Sequence, residues 1–260
     1  MLEYQKSVVN FMKLYNAFLD REKMIRKSKV RNSRNVMAIQ YGKDAEEHEI
    51  PWFSQIYNVT IIGNPYRCGG AAIHRRYIVT SSHCFKSEYA ADIIVKLGSE
   101  QKFEGKHIQI IKIIRHKIED IALLLTFNVI EDKNIISLSQ RREKQAESGD
   151  FYGFGYSSIT HDKKIIPLVM QKARVRVLGS TIADNKHMFF TDGSLQMGDS
   201  GGPLVFLDSG KRVVGGIHHG TGVTYDKYNR KKEISLFVRV SDHLNWITKQ
   251  IDYNMHDDLY

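Results

Sequence analysis

Ser200 lies in the run Gly198-Asp199-Ser200-Gly201-Gly202-Pro203, where a hydroxyl stands between glycine amides and directly after a carboxylate. A serine hydroxyl is a weak nucleophile near neutral pH, so it needs a base to take its proton and donors to hold the oxyanion that forms on attack. Upstream the chain offers His83 in Thr80-Ser81-Ser82-His83-Cys84 and Asp120 at the head of Asp120-Ile121-Ala122-Leu123-Leu124-Leu125. The order His, Asp, Ser is one of those in which a catalytic triad occurs. These residues point to acyl transfer through a covalent serine intermediate. His83 is then the general base, Asp120 holds its ring, and the Gly198 and Ser200 N–H groups receive the oxyanion.

The elements that must position these residues read as strands. Short β-rich runs recur between turn signals, at 58–62, 71–80, 93–97, 107–114, 121–127, 169–178, 204–207, 213–218 and 234–240. This is all-β spacing without βαβ alternation. The end differs: Ser241 is a plausible N-cap, and Leu244, Ile247 and Ile251 share one face of a helix. A chain of 260 residues has room for one large or two small cores, and 42% hydrophobic with 26% charged residues is a globular composition. No apolar run approaches a membrane span, so no transmembrane segment is expected.

The formal net charge is +9, of which residues 1 to 38 carry +6, leaving +3 on residues 39 to 260. With the charge concentrated there, and without a nucleotide-phosphate, zinc-finger or RNA-binding motif, nucleic acid is not an expected partner. Residues 1 to 38 read as an amphipathic helix around Val8, Val9, Met12, Tyr15 and Leu19, followed by a basic linker. A sustained apolar signal-peptide core is not evident. Asn58-Val59-Thr60 forms a glycosylation sequon, relevant only to a secreted chain.

Further motifs carry a family likeness. Cys68-Gly69-Gly70-Ala71-Ala72-Ile73, Gly153-Phe154-Gly155 and Phe237-Val238-Arg239-Val240, taken with the three motifs above, make the chain resemble the trypsin/chymotrypsin family of serine proteases over about residues 39 to 251. The resemblance implies a chymotrypsin-like all-β fold: two six-stranded antiparallel Greek-key β-barrels with the active site between them, and a C-terminal α-helix. It implies a serine endopeptidase that acts on protein or peptide substrates and needs no metal or organic cofactor. An activating protease, protein inhibitors, a monomeric state and an extracellular or secreted location follow from the same likeness.

Ile39-Gln40-Tyr41-Gly42, with Pro51-Trp52 after it, resembles the family's mature N-terminus. The division implied is a basic pro-segment or extension at 1–38, a peptidase domain at 39–251 and a tail at 252–260. Cleavage before Ile39 frees an amine that, in the family, pairs with the acid before the serine, here Asp199. Ala38 at that bond does not call for a trypsin-like activator, and a tail that is never cut is the alternative. Cys68 and Cys84 occupy positions the family links by a disulfide; two buried free thiols are the alternative.

Ser194, six residues before the nucleophile, resembles the base of the specificity pocket, and Gly220 and Ser235 resemble its walls. A neutral serine at the base suits an aromatic or apolar P1 side chain. Two departures stand out: His218-His219-Gly220 replaces the family's Ser-Trp-Gly cleft segment, and Gln196 replaces a pocket-edge cysteine. A histidine beside Asp120 can compete with His83 for the carboxylate. The sequence therefore leaves two functions open, an endopeptidase made as a zymogen and a weak or inactive homologue that binds a protein partner.

Overall fold

The computed structural model describes residues 42–60, 65–85, 89–160, 163–165, 167–180, 186–226 and 228–257. The expected pro-segment and Ile39 lie outside the described residues.

After a short strand β1 (Lys43–Asp44), six strands close the first barrel: β2 (Phe53–Asn58), β3 (Tyr66–His74), β4 (Tyr77–Thr80), β5 (Ile93–Leu97), β6 (Lys106–Arg115) and β7 (Ala122–Thr126). Their order is β2-β3-β4-β7-β6-β5, with β5 pairing back onto β2. The chain then crosses through β8 (Ser137–Leu138) to β9 (Ser148–Gly153) and a separate hairpin of β10 (Ser157–Thr160) and β11 (Lys163–Ile165). The second barrel follows with β12 (Gln171–Ser180), β13 (Met188–Thr191), β14 (Pro203–Asp208), β15 (Lys211–Tyr225) and β16 (Lys231–Arg239). Here the ring runs β9-β12-β13-β16-β15-β14 and closes on β9, again antiparallel and six-stranded. The two-barrel all-β architecture expected from the sequence is the one found.

Side-chain alternation explains why these segments are strands. Along β12, Ala173, Val175 and Val177 turn inward while Arg174 and Arg176 face solvent. In contrast β4 and β7 are buried along their whole length and apolar but for the closing Thr80 and Thr126, because both of their faces are covered. Ile78, Ala122 and Leu124 fill the first barrel, whereas Tyr77, Val79, Leu123 and Leu125 join a core shared with Tyr152, Ile217 and Val238 of the second. Phe151, Phe189, Phe206 and Phe237 fill the second barrel. Of these two doubly covered strands, β4 runs into the turn that carries His83 and β7 begins just after Asp120.

Some boundaries differ from the sequence reading. The expected strand at 71–80 is two strands joined by a turn at Arg75-Arg76, and the first barrel strand starts at Phe53 and ends at Asn58, where its pairing with β5 stops. Ser241 does not cap the helix. It lies in a 3-10 turn (Val240–His243) with a buried hydroxyl that has no partner among the described residues. The helix α1 begins at Leu244 and runs beyond Ile251 to Asp257. Among the described residues no helix is long and apolar enough to cross a membrane.

Candidate active site

His83 lies in a 3-10 turn (Ser82–Cys84) directly after β4. The turn is tethered on both sides, since Cys84 is disulfide-bonded to Cys68 on β3 and Ser81 Oγ donates to the His218 carbonyl at 2.9 Å. Asp120 precedes β7 and grips His83 at two points. Its Oδ1 accepts the His83 backbone N–H at 2.7 Å, and its Oδ2 accepts from the ring Nδ1 at 2.7 Å. An ionised carboxylate only accepts, so Nδ1 carries the proton and Nε2 is left as the basic nitrogen.

A second histidine shares that carboxylate. His219 Nδ1 lies 2.6 Å from the same Oδ2, with its ring 5.8 Å from the His83 ring and almost perpendicular to it. Burial would raise the Asp120 carboxyl, but the hydrogen bonds from His219 and His83 outweigh it and hold it well below the usual carboxylate range. The same bond from Asp120 raises His219. Its neighbour His218, which holds the position of the family's cleft serine, points the other way. It is buried against Phe151 and Phe237 with both ring nitrogens unpartnered among the described residues, and burial pushes it down to about 3. The histidine beside the acid is thus His219, brought there by a register shift between His218 and Gly220.

Ser200 belongs to the second barrel and is carried to the first by backbone contacts. Its carbonyl accepts the Gly69 N–H of β3 at 2.8 Å, while within the second barrel the Gly201 N–H donates to the His218 carbonyl of β15 at 2.8 Å. A Cβ on Gly69 would stand 2.9 Å from the Gly202 Cα, and one on Gly201 would stand 2.3 Å from Thr80 Oγ1. Glycine is therefore required where the barrels meet. Gly198 has φ +100°, open to glycine and strained for other residues. Among the described residues, neither the Gly198 nor the Ser200 amide N–H is taken up by a hydrogen bond.

Asp199 is 1% exposed, and its carboxylate accepts the Gly155 N–H and the Gln196 N–H, each at 2.8 Å. Burial pushes its carboxyl up to about 7, against the pull of those two N–H groups and of the Lys102 charge. A Cβ on Gly155 would fall 2.2 Å from Asp199 Oδ2, which accounts for the second glycine of Gly153-Phe154-Gly155. Lys102 was not singled out in the sequence. Its ammonium is 4.4 Å from the Tyr66 ring centre and 5.4 Å from that of Phe154, so a loop lysine becomes a nearly buried cation beside this carboxylate.

Two of the three residues expected to shape the pocket, Ser194 and Ser235, are hydrogen-bonded into one region, and Thr221 beside the third, Gly220, joins them. Ser235 Oγ accepts the Leu195 N–H at 3.1 Å and donates to the Gly193 carbonyl at 3.0 Å, while Thr221, beside Gly220, donates to the Leu195 carbonyl at 2.5 Å. The space beside Gly220 is open. Ser194 is not alone: its hydroxyl donates to the Glu233 carboxylate and accepts from Gln196 Nε2 at 2.6 Å. Glu233 reaches it from the β15–β16 hairpin, where it pairs with Val223. Two side-chain clusters among the described residues have metal-ligand spacing, Cys68–His83–Cys84, whose sulfurs are bonded to each other, and His83–Asp120–His219.

The family model described as trypsin matches residues 39–247. The chain is 23% identical over 234 residues to "Trypsin Blo t 3" of Blomia tropicalis, covering 79% of this chain and 83% of that protein. It is 26% identical over 237 residues to "Chymotrypsin-like elastase family member 1" of Rattus norvegicus, covering 80% and 88%. It is 23% identical over 244 residues to "Venom peptide isomerase heavy chain" of Agelenopsis aperta, covering 81% and 98%. With two closed barrels, the Cys68–Cys84 bridge and a family match over most of its length, the chain belongs to the trypsin family of serine proteases.

Proposed function

We propose that the chain is a serine endopeptidase, made as a zymogen, that cleaves peptide bonds through an acyl-enzyme. His83 takes the Ser200 hydroxyl proton as Oγ bonds to the scissile carbonyl carbon, then gives it to the leaving amine. Asp120 keeps the ring in the tautomer this requires. The Gly198 and Ser200 amides receive the oxyanion, and losing one such donor typically costs about 3 kcal/mol of transition-state stabilisation. The observation that carries this reading is the hold of Asp120 on His83 at two points, together with the Gly198 and Ser200 amides left unused beside the serine; among the described residues no hydrogen bond joins the Ser200 hydroxyl to His83.

In this reading residues 1–38 are a pro-segment, residues 39–251 the peptidase domain and residues 252–260 a tail. Cleavage after Ala38 frees the Ile39 amine to pair with Asp199. A buried carboxylate gains from a cation, and the raised Asp199 supports a site that lacks a full counter-charge until processing. The disulfide fits an oxidising compartment and hence secretion. Protein substrates, an activating protease, inhibitors and a monomeric state complete the reading.

At P1, Glu233 changes the expectation. A neutral Ser194 favours an apolar side chain, but a carboxylate bonded to its hydroxyl makes apolar burial there less favourable and a cation more so. We therefore read the pocket, bounded by Ser194, Gly220 and Ser235, as accepting Lys or Arg ahead of Phe or Leu.

The second reading, a feeble homologue that binds proteins, is favoured by His219 on Asp120. Treating protein that begins at Ile39 with a fluorophosphonate probe separates the two. Covalent labelling of Ser200 supports the endopeptidase; no labelling, beside a labelled trypsin control, leaves the binding module.

A further inference from the structure

We propose that His83, His219 and Asp120 form a binding site for a divalent transition metal, zinc foremost, and that the bound ion switches the site off. The switching rests on the acyl-transfer reading above; the binding does not.

Two ring nitrogens and a carboxylate oxygen lie within 4.8 Å of one another. Both Nδ1 atoms lie against Asp120 Oδ2, at 2.7 and 2.6 Å, with the rings crossed at 88°, so the three ligand atoms are already gathered and each Nδ1 offers a lone pair once its proton has moved to Nε2. Two imidazoles and a carboxylate suit zinc, and three protein ligands leave a fourth position for water. Zinc–ligand bonds of about 2.0–2.1 Å set tetrahedral ligands roughly 3.3 Å apart. The present N–O separations must therefore open by roughly half an ångström, well within the swing of two side chains that are 41% and 40% exposed. That exposure also gives an ion access from solvent.

Support for the ligands is already built. Asp120 Oδ1 stays on the His83 backbone N–H, and the disulfide fixes the next residue, Cys84. His218 plays no part, since its ring is buried in the second barrel.

The proton movements explain the switch. The ion takes the lone pairs of both Nδ1 atoms, so each neutral ring moves its proton from Nδ1 to Nε2, and a ring that was protonated releases one proton to solvent. No redox change occurs. With Nε2 of His83 carrying hydrogen, it cannot accept the Ser200 hydroxyl proton, and the nucleophile is disarmed without touching the metal.

The test titrates the full chain with zinc chloride by calorimetry and by thermal unfolding. Expected are one ion per chain, a rise in melting temperature with zinc, and affinity at least about tenfold weaker in both His219→Phe and His83→Ala. His48→Gln, a well-exposed histidine elsewhere, should bind as the native chain does. Two variants guard against misfolding of one. Equal affinity in native chain and His219→Phe, or no binding, overturns the site. In a parallel arm, zinc should slow fluorophosphonate labelling of Ser200 in protein processed to Ile39, reversibly with a chelator. Zinc binding that depends on His219, with no labelling even in its absence, sinks the acyl-transfer reading and the switch but leaves the metal site standing. Labelling that zinc never affects sinks the switch alone.

Discussion

His219 and Asp120 are joined by a 2.6 Å hydrogen bond that ends on the oxygen already accepting from His83. One carboxylate oxygen thus serves two imidazoles, and the charge meant to steady a protonated His83 is divided. Replacing His219 with Phe should leave Asp120 wholly to His83. Fluorophosphonate labelling of Ser200 is expected to quicken by up to about one order of magnitude, the scale of one charge-assisted hydrogen bond partly regained. Slower labelling in the variant, with unfolding unchanged, would mean that His219 supports the acid instead of diverting it.

Glu233 gives a prediction about substrate choice. On the proposed pocket, its carboxylate on the Ser194 hydroxyl should favour a basic P1 residue, and Glu233→Gln keeps a hydrogen-bonding group there while removing the charge. A panel of peptides varied only at P1 should show Arg or Lys preferred by the native chain, with the ratio of kcat/KM for Arg over Phe falling about tenfold or more in the variant. An unchanged ratio would show that the charge does not reach the pocket.

Asp199 gives a prediction about pH. Its folded-state carboxyl is raised from 3.8 to about 7, so the folded chain holds a proton that the unfolded chain releases earlier. The stabilising contribution of that proton is complete below the unfolded value and is lost as pH rises toward 7, by at most about 4 kcal/mol. In the chain that keeps residues 1–38, Asp199→Asn is free of this loss. Its melting temperature should gain on that of the native chain across this window. Once the Ile39 amine is free the order should reverse at neutral pH. Parallel melting curves at all pH values would contradict both statements.

The disulfide is the fourth lever. It closes a loop between residues separated by 16 positions, which restricts the unfolded chain by about 3 kcal/mol and holds the turn that carries His83. Replacing Cys68 and Cys84 together with serine should lower the melting temperature by several degrees and reduce Ser200 labelling more than stability alone explains. Denaturation and labelling measured on the same samples separate the two effects.

Much of the site was legible because it is written in contiguous strings. The residues around Ser200, His83 and Asp120 each reveal themselves locally, and so do the cysteines beside the histidine. What was hidden depends on pairing between distant segments. Alternation along a strand says that His218 and His219 face opposite ways, but the shift in register on β15 decides which of them meets Asp120. Glu233 looks like one more charge in a polar hairpin until that hairpin brings it onto Ser194. Lys102 reads as a loop lysine, yet two aromatic rings from separate segments cover it. Ser241 misled because a side chain that can cap a helix was followed by a 3-10 turn instead.

The backbone bond from Gly69 to the Ser200 carbonyl has a consequence for the cell that makes this protein. It joins positions 131 residues apart, one in each barrel, so a growing chain cannot form it before Ser200 has been made and exposed. A half-finished molecule, or one with a single barrel folded, has its histidine and its serine on separate bodies. In the proposed mechanism, synthesis itself would delay reactivity until both barrels are built, ahead of any processing of the N-terminal segment.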